Sequence, residues 1–330
     1  MLKRIAAGLI WLMTGLGTVW ATAAVWIDGR ERIAIPLLLF VLGVVGAFAI
    51  GRKTQRAGLR GLFAALPFVL VLGWWLLLAP SNDRDWVADV RELPRAEIDG
   101  DRLVIHNVRN FDYRSETDFT ERWETREYDL RDLQGVDLFM SYWGSPTIAH
   151  TIASWDFGDG RPLAISIETR KEEGESYSAV LGFFRQFELY YVIADERDVV
   201  RVRTNFRGET VRLYRTTASA DMARAILLDY LAEINALVED PAWYNAATHN
   251  CTTTIRHHVR HVAQGAPFDY RILVNGRLDE LGYERGNVDT SLPFEELRLR
   301  SEITERAIAA GNSDAFSELI RVGLPNPRID

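Results

Sequence analysis

The 330-residue chain contains one cysteine, Cys251, in the run His249-Asn-Cys-Thr-Thr-Thr-Ile255. Ile255, Val259 and Val262 recur at helical spacing after it, so Cys251 is expected at the mouth of a helix. Asn250 and the threonines are good capping types. A thiolate at a helix N-terminus is stabilised by unpaired N–H groups and the positive end of the dipole, which lowers its pKa. Against this nucleophilic reading stands the commoner fate of a free cysteine, a buried inert thiol. A nucleophile needs a base, and the base needs an orienter. Six histidines compete for the first role. His257, His258 and His261 follow Cys251 on its own helix and read as a solvated basic face. No Glu accompanies the His257/His261 pair as in H-E-x-x-H, so no metal is expected there. His249 is awkwardly adjacent to the thiol, and His106 has no evident partner.

His150 is singled out by strand register. Thr147–Phe157 and Pro162–Arg170 read as two strands joined by Gly158-Asp159-Gly160, a hairpin turn signal. A hairpin centred on Asp159 sets His150, nine residues before the centre, opposite Glu168, nine after it. Directly opposed side chains lie about 4.5–5.5 Å apart at Cβ, close enough for a carboxylate to hold an imidazole. Ser166, on the same face, is the alternative orienter.

The elements that must position these groups follow from the pattern around them. Leu103–Val108, Phe187–Ala194, Val199–Thr204 and Thr210–Arg215 read as further strands. Ser219 is placed to cap a helix carrying Met222, Ile226, Tyr230, Ile234 and Leu237, which Asp240-Pro241 ends. Pro293–Arg321 reads as two short helices split at Gly311-Asn312. The expected fold class of residues 102–330 is α+β.

Before that domain the composition changes. Residues 1–80 carry net +6 and the remainder net −14. Ile5–Ile27, Ile33–Gly51 and Gly61–Asn82 are uncharged runs of 23, 19 and 22 residues. About 20 apolar residues cross a bilayer's hydrocarbon, so residues 1–82 are expected to be a three-helix transmembrane anchor. Lys3 and Arg4 at one end, and Arg52, Lys53, Arg56 and Arg60 in the second loop, place the N-terminus in the cytoplasm by the positive-inside rule. The first loop, Asp28-Gly-Arg-Glu-Arg32, nets zero. Everything after Ser81 is then outside, in a bacterium the periplasm. Cleavage after a signal-like first span, near Ala21-Thr22-Ala23, would leave that side unchanged. Residues 83–101 read as a charged neck of some 20 residues, reaching at most roughly 70 Å. The acidic body excludes nucleic acid as a partner. One cysteine excludes a disulfide framework and any cysteine-rich zinc or iron–sulfur site. A lone thiol on the oxidising side of a membrane needs a reason to be there.

Several blocks together resemble a known family. They are Leu163-Ala-Ile-Ser-Ile-Glu-Thr-Arg-Lys-Glu172, Gly174-Glu-Ser-Tyr-Ser178, Gly182-Phe-Phe-Arg-Gln186, Tyr191-Val-Ile-Ala-Asp-Glu-Arg197, Arg203-Thr-Asn205 and Asn250-Cys-Thr-Thr253. Over about residues 100–325 the chain resembles the Lnb N-terminal periplasmic domain family of bacteria. That resemblance implies a circularly permuted papain-like (NlpC/P60-like) domain, with an antiparallel sheet and packed helices, in which the His strand precedes the Cys helix. The family's named member is a lipoprotein N-acyltransferase. The resemblance therefore implies Cys251 as nucleophile and His150 as base, with Glu168 falling in a matching block. Asn250 would support the loop or an oxyanion hole with the Cys251 N–H. Arg170, Lys171, Tyr177 and Arg185 would either bind polar groups of a substrate or be surface or packing residues.

The expected function is a membrane-anchored periplasmic acyltransferase or hydrolase working through a Cys251 thioester. Its expected substrate is a membrane lipid or lipoprotein, and no cofactor is expected. Two other functions stay open. One is a cell-wall peptide amidase or protease with the same dyad. The other is a non-catalytic envelope scaffold, in which Cys251 is buried and replaceable.

Overall fold

The computed structural model describes residues 1–29, 33–263 and 267–328, apart from the Leu2 and Lys3 side chains. The basic pair's Lys3 side chain and the first loop's Arg30, Glu31 and Arg32 thus lie outside the described residues. The chain forms two compact units: residues 1–81 with 177–187, and residues 82–176 with 188–330.

The first unit holds helices α1 (Leu2–Gly29), α2 (Ala34–Gly51), α3 (Ala57–Ala64) and α4 (Leu66–Leu76). By length and composition they supply three membrane spans, Arg4–Gly29, Ala34–Gly51 and Ala57–Leu76. The third span is interrupted at Ala65, just before Pro67, whose ring and missing N–H break the helical ladder. It also begins and ends earlier than its apolar run. Gly43 has a backbone role here. A Cβ on it would lie 2.5 Å from Pro67 Cα, so only glycine lets α2 and α4 approach this closely. Ala21, Ala24, Val25 and Val71 are buried between the helices. Segment 177–187 belongs to this unit rather than to the domain it interrupts in sequence. Phe184 stacks on Trp20 with ring centroids 6.5 Å apart, and the Arg185 guanidinium lies 4.4 Å from the Trp75 ring centroid.

The second unit is built on strands β1 (Arg95–Asp99), β2 (Arg102–Arg109), β3 (Asp112–Tyr113), β4 (Phe119–Thr120), β5 (Trp123–Asp129), β6 (Gly135–Tyr142), β7 (Ala149–Asp156), β8 (Leu163–Arg170), β9 (Glu188–Asp195) and β10 (Thr210–Arg215). Eight of them form one sheet in the order β1-β2-β9-β8-β7-β6-β10, with β5 also on β2. The sheet is mixed rather than purely antiparallel, because β2 meets β9 in parallel at Arg109 and Ala194. The helices are α5 (Glu196–Val199), α6 (Ala220–Glu239), α7 (Cys251–Val262), α8 (Leu278–Glu284), α9 (Phe294–Arg300), α10 (Thr304–Ala310) and α11 (Phe316–Arg321).

One sheet face is covered by a core of Phe139, Ile152, Ala164, Tyr190 and Val192 with Ile303, Ala307, Phe316 and Ile320 from the C-terminal helices. On the other face Trp155 and Tyr191 meet Tyr230 of α6 edge to face. Strand β6 had no clear sequence signal because all but one of its residues are buried, which erases the alternation that marks a half-buried strand.

Three expected elements differ. Val199–Thr204 is not a strand. The Asp195 side chain accepts from Arg197 N–H at 2.9 Å and starts α5 instead, and a π-helical turn follows at Val202–Phe206. The C-terminal region holds three short helices, with an additional break at Ser301–Ile303 where backbone groups of Ser301 and Ile303 bond β10. Residues 83–101, expected as a neck, are built into the second unit. Trp86 and Val90 are buried, and β1 pairs residue by residue with β2.

Arg170 explains that docking. Its guanidinium donates to Val90 O at 3.0 Å, Arg91 O at 2.6 Å and Asn82 Oδ1 at 3.0 Å, and lies over the Trp86 ring. Replacing it strands buried carbonyls without donors. Arg170→Met is expected to lower the stability of this unit by about 2–4 kcal/mol. Thermal unfolding of the full chain in detergent checks this. An unchanged transition would contradict it.

Candidate active site

The hairpin register is the one its glycines predict. Ile152 opposes Ser166 and Trp155 opposes Leu163, which by continuation sets His150 against Glu168. Gly158 and Gly160 both have positive φ, as the turn requires. The His150 Nε2 is 2.7 Å from Ser166 Oγ and 3.0 Å from Glu168 Oε1. Ser166 itself donates to Glu168 Oε1 at 2.7 Å. Both expected orienters therefore contact the same ring nitrogen, which leaves Nδ1 for another partner.

The ladder between β7 and β8 stops at Ile152 and Ser166. Yet β7 stays paired to β6 as far as Ala149, and β8 to β9 as far as Arg170. The two strands part at this end, and the backbone of β7 there must find other partners. Asn275 supplies one set: its side chain accepts from Ala149 N–H at 2.9 Å and donates to Ala149 O at 2.6 Å. The first turn of α7 supplies the other, as the Thr151 backbone and the Thr252 hydroxyl bond the Cys251 sulfur. The amide of Asn275 also lies 2.5 Å from Thr252 Oγ1 and 3.8 Å from Cys251 Sγ.

Helix α7 is held in place by its own cap. Asn250 Oδ1 accepts from Thr253 N–H at 2.9 Å, and the Thr253 hydroxyl accepts from Asn250 N–H at 3.0 Å. The Asn250 Nδ2 donates to Ala246 O at 2.7 Å. With both ends of its amide engaged, Asn250 supports the loop and is not placed as an oxyanion donor. Asn275, which carried no sequence signal, is the amide beside the sulfur.

The electrostatics run along one chain of contacts. Burial is the largest influence on His150 and opposes its protonation, but the Glu168 charge together with the ring's hydrogen bonds outweighs it and the ring is pushed up to about 9. Arg203 opposes this, while hydrogen bonds to Cys251 and Glu168 add to it. Burial raises Glu168, yet the charge and hydrogen bond of His150, with Arg203 and Ser166, hold it well below the usual carboxylate range. Burial also raises the Cys251 thiol. The hydrogen bond and charge of His150 reverse that, and the net shift is downward. Both shifts run in the direction of a thiolate–imidazolium pair.

Arg203 stands behind Glu168, with Nη2 2.9 Å from Glu168 Oε1 and Nη1 3.2 Å from Glu209 Oε2. Glu209 accepts in turn from Ser141, which opposes His150 on β6. The π-helical turn that replaces the expected strand aims Arg203 here, a frequent use of such turns. Its only sequence signal was the Arg203-Thr-Asn205 block.

The remaining expected residues lie elsewhere. Arg170 is a packing residue, as described. Lys171 is half-buried, and its carbonyl accepts from Val87 N–H at 3.0 Å. Tyr177 and Arg185 fall in the first unit, where Arg185 donates to Leu78 O. The three histidines of α7 do not form one solvated face. His258 is buried, with Nε2 2.8 Å from Tyr191 Oη and Nδ1 2.7 Å from Asp229 Oδ2. The buried face of α7 is Cys251, Thr252, Thr254 and His258, while Val259 is exposed. The apolar side chains marked the helix but not its inward face.

A mixed-sheet α+β domain joined to three helices long and apolar enough to cross a membrane defines a membrane-anchored protein. Residues 119–276 match the family model described as the Lnb N-terminal periplasmic domain. The match includes His150, Ser166, Glu168, Arg203, Cys251 and Asn275. Comparisons with curated proteins and with solved structures returned no match.

The Glu168 charge is what keeps the His150 ring protonated. In Glu168→Gln the titration of His150 is expected to fall from about 9 to below the ordinary value of 6.5. NMR of the histidine-labelled full chain in detergent reads this. A ring that still titrates near 9 would contradict it.

Proposed function

We propose that the domain is a thiol acyltransferase or hydrolase that works through a Cys251 thioester on the acyl esters of a membrane lipid or lipoprotein. The observation that carries this reading is the run of contacts from the buried Cys251 and His150 to the half-buried Glu168, with the thiol lowered and the imidazole raised. This is the charge state of an activated nucleophile.

The chemistry follows from the side chains. The Cys251 thiolate attacks the ester carbonyl, forming a C–S bond. The tetrahedral oxyanion is stabilised by N–H groups at the start of α7. The ester C–O bond then breaks, and the His150 imidazolium gives its proton to the departing alkoxide. An amine or water next attacks the thioester carbonyl and gives a proton to the neutral imidazole. The C–S bond breaks, and the thiolate and imidazolium are restored. Glu168 and Ser166 hold the ring throughout, and Arg203 holds Glu168. No step requires a cofactor.

An apolar rim favours an acyl substrate over a peptide. Trp143, Ile148, Phe268, Tyr270, Leu273 and Val274 are exposed, and flank His150 and Asn275 in sequence. The two loops are stitched together where Gly276 N–H donates to Thr147 O at 3.0 Å. Exposed apolar clusters of this kind mark binding surfaces. In this reading the anchor lies in the inner membrane, with the N-terminus cytoplasmic and the domain periplasmic.

The test is intact-mass spectrometry of the full chain in detergent after incubation with phosphatidylglycerol or a diacylated lipopeptide. A hydroxylamine-sensitive mass gain of one acyl chain is expected in the wild type and none in Cys251→Ala. His150→Ala should form the adduct roughly 10²–10⁴-fold more slowly. Absence of an adduct, with release of fragments from cell-wall peptides instead, would contradict the acyl reading.

A further inference from the structure

A cavity lies against the helix that carries Cys251. It has a volume of about 580 Å³ and is walled by α7, the loop before it, and Leu189 and Tyr191 of β9. Thr248 and His249 before Cys251, and Thr253 and Thr254 after it, line it, although the thiol itself does not.

Its charge is unlike that of the domain. The body is acidic, yet this wall carries Arg256 and Arg260 with His249, His257 and His261, against one acid, Glu233. Among the described residues neither arginine has an ion-pair partner. The Arg256 guanidinium lies over the Phe268 ring, 5.8 Å from its centroid. His261 is already held by Asp229 at 3.2 Å, and Asp229 is shared with His258. Asp229 is thus committed to these histidines, and the two guanidiniums remain available. Thr254 gives an independent sign. It is only 6% exposed, it lies on the cavity wall, and among the described residues its hydroxyl has no hydrogen-bond partner. A buried hydroxyl without a partner is uncommon and costs desolvation that a ligand oxygen would offset.

We propose that this cavity binds a phosphate group through Arg256, Arg260 and the Thr254 hydroxyl. Guanidinium forks match the spacing of phosphate oxygens, and a threonine hydroxyl donates to a third. On the reading that the domain transfers acyl groups, such a site beside the nucleophile's helix selects a phosphate-bearing acyl lipid. The binding itself does not require that reading.

The experiment uses the full chain in detergent carrying Cys251→Ala, so that binding is read without turnover. Native mass spectrometry follows retention of phosphatidylglycerol and of diacylglycerol, and equilibrium dialysis follows labelled inorganic phosphate. Phosphatidylglycerol is expected to be retained more than diacylglycerol. Retention should fall at least tenfold in Arg256→Gln/Arg260→Gln and about two- to tenfold in Thr254→Val. Saturable binding of inorganic phosphate that displaces the lipid would assign the site to the phosphate alone. Lipid binding without phosphate binding would assign it to the whole headgroup. Equal retention of the two lipids, or variants that bind as the parent does, would overturn the proposal. Because Cys251 is absent throughout, a failed acyl-transfer test and a failed binding test are separate results.

Discussion

The candidate site depends on a place where two strands stop pairing. Strands β7 and β8 are joined by a tight hairpin, yet their ladder ends at Ile152 and Ser166 while each continues with its other neighbour. Backbone groups exposed by that parting must be satisfied. Asn275 takes those of Ala149, and the start of α7 meets the backbone of Thr151. The sulfur of Cys251 is thereby held beside His150, and the hairpin register holds His150 beside Ser166 and Glu168. A continuous ladder would close the gap that the helix mouth occupies.

Electrostatics then do what packing alone would not. A buried thiol tends to stay protonated, and a buried imidazole tends to stay neutral. Here the Glu168 charge and the ring's hydrogen bonds together outweigh burial at His150, and the His150 hydrogen bond and charge, with the Thr151 and Thr252 hydrogen bonds, outweigh it at Cys251. Arg203 has two opposed effects. It holds Glu168 ionised and in place, and its own charge works against protonation of His150. Its second carboxylate partner, Glu209, shares that positive charge.

The parts of this arrangement that sequence revealed are those set by local rules. A Gly-Asp-Gly turn fixes a two-strand register by counting, so the His150–Glu168 pairing was legible. Asn250 and Thr253 form a cap from adjacent residues, so the helix mouth at Cys251 was legible too. Contacts that depend on distant packing were not. Arg203 reaches Glu168 only because a π-helical turn replaces an extended segment. Asn275 lies 24 positions beyond Cys251 and becomes relevant only because the strands part. His258 sits among residues that look solvated, and its burial depends on Tyr191 and Tyr230. Arg170 resembles a substrate-binding arginine until the segment from Asn82 to Arg91 folds over it.

The central claim is that His150 and Cys251 form an ion pair in which the imidazole sets the thiol's reactivity. The most direct measurement is the rate of alkylation of the full chain against pH, since Cys251 is its sole thiol. The account predicts a thiolate that titrates below the free value of about 8.5, with its midpoint raised in His150→Ala. A thiol that titrates near or above the free value, or one indifferent to His150, would contradict it.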